Sequence, residues 1–153
     1  MQNFTPLKLF NKNACGAAAV EFALISPVVL LMILGAVDFG FIVHNSMQAT
    51  SASRSGAQFV LEDPTGYSAN IITVVQSATN LPSASVSVTT SEECRCLGSS
   101  TAVNCSTDTC SGNSPPKYVT ITTSYNYDLI MGYPGLPDPW PISKSAIVRV
   151  PSE

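Results

Sequence analysis

Hydrophobic and polar positions divide this chain into three regions with different periods. From Ala17 to Val37 the run is apolar apart from Glu21 and Ser26, and after Asp38 it resumes from Phe39 to Val43. At about 1.5 Å per residue, Ala17 to Val43 spans roughly 40 Å, more than the ~30 Å of a hydrocarbon core, which predicts a membrane-inserted helix over 17–43. Pro27 deprives that helix of one hydrogen bond to the carbonyl of Ala23 and is expected to bend it, with a neighbouring hydroxyl such as Ser26 compensating. Asp38, roughly 25 Å along the axis from Glu21, is read as marking the outer edge of the span.

Beyond the span the helical period continues. Ala49, Ala52, Gly56, Phe59 and Val60 recur at helical spacing between Asn45 and Leu61, a small-residue stripe that permits close approach. Asp63-Pro64-Thr65-Gly66 stops that helix. A second helix is predicted over about Ala69 to Asn80, with Ser68 as its cap and Ile71, Ile72, Val75 and Ala78 on one face. From there the period becomes two. Val86 and Val88, then Val119, Ile121, Thr123 and Tyr125, then Ala146, Val148 and Val150 alternate with polar residues and predict three short strands. The expected fold class is α+β: a long amino-terminal transmembrane and assembly helix, a second short helix and a small antiparallel sheet with a disulfide-pinned loop. The domain organisation read from these shifts is a cytoplasmic leader at 1–16, the transmembrane part of the helix at 17–43, and an extracytoplasmic domain at 44–153 large enough for one modest core.

Composition narrows the partners more than it suggests them. The formal net charge is −3 and charged residues make up 11% of the chain, with no basic stripe, so nucleic-acid binding is not expected. Four of the five cysteines, Cys94, Cys96, Cys105 and Cys110, cluster in the domain assigned to the exported side. Their C-x-C-x8-C-x4-C spacing lacks the C-x2-C pairs of a zinc site and has no histidine nearby, so two disulfides are expected. Three connectivities are possible, and pairing Cys94 with Cys96 is the least comfortable geometrically. Cys15 falls on the cytoplasmic side, and because the apolar run follows it, acylation of a lipoprotein type does not fit. The Gly132 to Pro141 stretch, rich in proline, is read as a loop over a core edge with Trp140 as its plug. No Gly-x-Ser-x-Gly, phosphate-cradling loop or metal cluster occurs, and the single histidine, His44, is read as interfacial. The chain is therefore expected to be no enzyme, to have no catalytic or metal-binding residue and to need no cofactor.

Glu21 remains to be explained, because a lone carboxylate at the edge of a membrane segment is costly. It stands five residues after Gly16, and the small residues Gly16 to Ala19 precede the apolar run, the reverse of a secretory signal with its cleavage site behind the h-region. Met1 to Cys15 carries Lys8 and Lys12 without an acidic residue, so by the positive-inside rule it stays in the cytoplasm and the rest is exported. Gly16-Ala17-Ala18-Ala19-Val20-Glu21-Phe22 resembles the prepilin sites that a dedicated peptidase cuts after Gly. The longer string through Pro27, followed by Gly35-Ala36-Val37-Asp38-Phe39-Gly40, is similar to the TadE-like pseudopilins of tight-adherence (Tad) pilus systems. Phe41 and Cys15 depart from the polar or basic residues more usual at those two places. The resemblance covers roughly the first 60 residues, and beyond them only the general organisation agrees.

The resemblance implies a structural minor pilin or pseudopilin, cleaved between Gly16 and Ala17 and assembled through Glu21, Phe22 and Pro27. The implied partners are the prepilin peptidase, the major pilin and other minor pilins, the inner-membrane assembly platform and membrane lipid. The implied location is the inner membrane, single-pass, with the domain outside and possible transfer to the pilus or cell surface. Two alternatives share these features: a signal-anchored envelope protein whose exported domain binds a ligand, and a secretion-system pseudopilin.

Overall fold

A computed structural model describes residues 15–150, so the leader read at 1–16 lies almost wholly outside the described residues. One helix dominates. α1 runs from Cys15 to Glu62, 48 residues, and continues through Pro27 without interruption. At 1.5 Å per residue it is roughly 70 Å long. It stops where the Asp63-Pro64-Thr65-Gly66 turn was expected, and the Gly66 amide donates to Asp63 Oδ1 at 2.8 Å.

A 3-10 turn, Tyr67–Ala69, leads into α2, Ile71–Ser77. The second helix is thus shorter than predicted, and its cap is Asn70 rather than Ser68, with no capping bond from the side chain. The reason is the turn: Tyr67 is pulled into the core, which uses up the residues that would have formed the first helical turn. Ile71 and Val75 are buried as predicted, whereas Ile72 faces outward.

Four strands follow, one more than the period predicted. β1 (Val86–Arg95), β2 (Ala102–Val103), β3 (Lys117–Tyr127) and β4 (Trp140–Val150) form one antiparallel sheet of order β2-β1-β3-β4. β2 is only two residues long and pairs with the end of β1, Cys94 facing Val103. Two residues show no alternation, so no sequence pattern marked it. Cys94 is bonded to Cys105 and Cys96 to Cys110, Cα atoms 5.2 and 5.4 Å apart, which selects one of the three connectivities left open. Cys94, in β1, and Cys96, just past its end, each reach a separate partner in the loop that follows β2.

The sheet lies against the second half of α1, with α2 filling the space beside it. Ala52 and Val60 of α1, Tyr67, Ile71 and Val75, and Val119, Ile121 and Val150 of the sheet make the core. The small-residue stripe explains the close approach: Ala49, Ala52, Gly56 and Val60 are all buried. A Cβ on Gly56 would come within 2.6 Å of Val75 Cγ2 and 3.2 Å of Ile121 Cγ2. Glycine is present because helix, helix and sheet meet there.

Candidate assembly helix and its docking site

The two halves of α1 have opposite environments. From Gly16 to Ile33 its side chains are exposed or nearly so, and the stretch is apolar enough to cross a membrane. From Asp38 onward one face is buried beneath the sheet, through Asn45, Ala49, Ala52, Ser53, Gly56 and Val60. Apart from the adjacent Ala52 and Ser53, successive positions are three, four or seven residues apart, the spacing of one helical face.

The residues singled out for processing and assembly all lie on the bare half. Gly16 and Ala17 occupy the first turn, with open space where a Gly16 Cβ would point. Glu21 and Pro27 are exposed, and Phe22 is 73% exposed. Glu21 lies four residues after Ala17, hence on the same side of the helix one turn away. Among the described residues no other element covers them, so the surface they form is open to a lipid or to another helix. His44 and Arg54 are exposed too, on the face of α1 turned away from the sheet.

Asp38 was read as an edge marker, and its structural position is more specific. It is 2% exposed, and its Oδ1 accepts hydrogen bonds from Tyr127 OH at 3.1 Å and from the Ile130 backbone N–H at 2.9 Å. Tyr127 also packs its ring on Phe41, centroids 6.2 Å apart. The β3–β4 loop, 128–139, is thereby fastened to α1 at the level of Gly35 to Ile42. Asp38 Oδ2 and Tyr133 OH are buried in the same place without a hydrogen-bond partner among the described residues. Trp140, predicted to plug a core edge, is half-buried and lines a cleft of about 310 Å³ between this loop and α1. The signal for Asp38 was available: Asp38, Asn45 and Ala52 are spaced by sevens, which places them on the buried stripe.

Two groups of polar contacts inside the domain, one centred on Ser53 and one on Glu92, were not marked by any motif. Ser53 Oγ lies 2.9 Å from Thr123 Oγ1 and 3.0 Å from the Lys144 carbonyl, joining α1 to β3 and β4. Tyr67 OH donates to Glu92 Oε1, and Lys117 Nζ stands 2.7 Å from Glu92 Oε2. Lys117 and the Tyr67 hydroxyl hold the Glu92 carboxyl below its ordinary range, and burial, reinforced by Glu92, pushes Tyr67 up to about 12. These groups are structural ties, far along α1 from Glu21. Among the described residues no cluster of three or more His, Cys, Asp or Glu side chains is arranged to hold a metal ion.

The structure thus has one long helix that is bare and apolar enough over its first half to anchor the chain in a membrane, and that carries a small α+β domain on its second half. Residues 16–58 match the family model described as TadE-like protein, so over that segment the chain is similar to TadE-like proteins. The match begins at Gly16 and includes both the bare half of α1 and most of its docked half. Comparison with curated proteins and with solved structures returns no match.

Proposed function

We propose that this chain is a structural minor pilin or pseudopilin of a Tad-type adhesion pilus, cut after Gly16 by a prepilin peptidase and assembled through the bare half of α1. The observation carrying this reading is that Glu21 sits on an exposed apolar helical surface that no other element among the described residues covers. A monomer gains nothing from placing a carboxylate there. Cleavage would make Ala17 a new amino terminus, and in a helical array the Glu21 carboxylate of one subunit can pair with the Ala17 amine of the next. Pairing offsets part of the cost of taking both charges out of water and sets the stagger between subunits.

The role is structural, with the leader cytoplasmic and the domain outside. Its partners are the major pilin, other minor pilins and the membrane assembly platform. A domain of this size suits priming or a tip position better than the shaft.

The Glu21→Gln variant tests the pairing. Quantified in cells that make the fibre, it should be processed to a mature chain beginning at Ala17 and yet be missing from sheared pili. Normal incorporation of that variant would overturn charge pairing. An intact leader on the wild-type chain, read by mass spectrometry, would instead favour a signal-anchored envelope protein.

A further inference from the structure

We propose that the β3–β4 loop, 128–139, is a membrane-surface anchor: Ile130 and Leu136, with Trp140 at the loop's end, rest in the lipid interface of the leaflet where α1 leaves the bilayer. The inference goes beyond assembly and rests on the membrane insertion of α1.

The first argument is height. Ala17 to Gly35 spans roughly 27 Å of helix, close to the ~30 Å of a hydrocarbon core, so Gly35 to Ile42 lies at its water-facing edge. The loop is held at that level by the two hydrogen bonds to Asp38 and by Tyr127 on Phe41. A carboxylate so placed is sheltered from hydrocarbon by the loop that it binds.

The second argument is surface chemistry. Ile130 is 52% exposed and Leu136 50%, although both sit in a turn-rich loop where serine or asparagine would serve an aqueous surface better. Leu136 lines the cleft against α1 together with Phe39 and Ile42, and Val37 and Phe41 are exposed at the same level of the helix. Tyr127, Tyr133 and Trp140 are spaced through the same segment, and tyrosine and tryptophan favour the headgroup level because one end of each ring is polar. No Lys or Arg occurs between Lys117 and Lys144, while Asp128 and Asp138 lie in the loop. The attraction is therefore apolar and independent of anionic lipid.

Trp140 is the sole tryptophan of the chain, which supplies the test. The full chain is inserted into phosphatidylcholine vesicles carrying bromine on the acyl chains, either near the headgroup or near the bilayer centre. Trp140 emission should be lost mainly to the shallow bromines, and equally when phosphatidylglycerol replaces part of the lipid. In an Ile25→Trp, Trp140→Phe chain the emission should be lost mainly to the deep bromines. Changing Ile130 and Leu136 together to Ser should relieve the quenching of Trp140. Deep quenching at position 25 with none at position 140 overturns the anchor, and would mean that the loop faces water or a neighbouring subunit. Absence of quenching at both positions overturns the anchor and the membrane reading of α1 together.

Discussion

Gly56 stands at the tightest point of the molecule, where α1, α2 and β3 converge. Any side chain there must displace Val75 and Ile121, both fully buried and branched, so neither can swing aside. Gly56→Ala should therefore destabilise the domain by about 1–3 kcal/mol, the usual cost of overpacking. Thermal unfolding of the full chain in detergent checks this, and an unchanged midpoint would show that the helix can move away. The glycine was legible as part of a small-residue stripe. Its neighbours were not, because a stripe names one side of a contact and leaves the other unspecified.

Among the elements, the tie between the 3-10 turn, β1 and β3 has a pH signature. Glu92 has its carboxyl lowered by Lys117 and Tyr67, so its contribution is present above the ordinary Glu value of about 4.3 and is lost as pH falls below it. Because Glu92 and Lys117 are substantially exposed, the contribution is on the order of 0.5–1 kcal/mol. Glu92→Gln should accordingly unfold earlier than the parent chain at neutral pH, with the gap closing under acid conditions. Tyr67 behaves oppositely: its hydroxyl is raised to about 12, so its contribution holds below pH ~10 and fades as pH climbs toward 12. Denaturation midpoints followed against pH for parent and variant decide this, and a gap that stays constant from neutral to acid would refute the pairing. At this scale the strands announced themselves by alternation. β2 did not, since its place comes from the disulfides and from the edge of β1.

For the whole molecule, the relation between domain and membrane helix depends on Asp38. Hydrogen bonds to a charged acceptor contribute about 1.5–3 kcal/mol each, so Asp38→Ala should release the β3–β4 loop while leaving the core packed. Hydrogen exchange reads the difference directly: the Ile130 amide should lose its protection, and the amides of Val119 and Ile121 in β3 should keep theirs. Equal loss at all three would make Asp38 a determinant of folding instead of a local fastening.

The amino-acid order alone determined the long apolar helix, the isolated glutamate five residues after Gly16, the turn that ends α1, the α+β class and the two disulfides as a pair of bonds. Each follows from local chemistry or from a period along the chain, and needs no knowledge of what lies across the fold. Which cysteine meets which, the shortening of α2, the two-residue strand and the burial of Asp38 were decided only by tertiary structure. All four depend on residues brought together from distant parts of the chain, and the energy of such a contact belongs to the pair: Asp38 looks like a boundary charge until Tyr127 and Ile130 close over it.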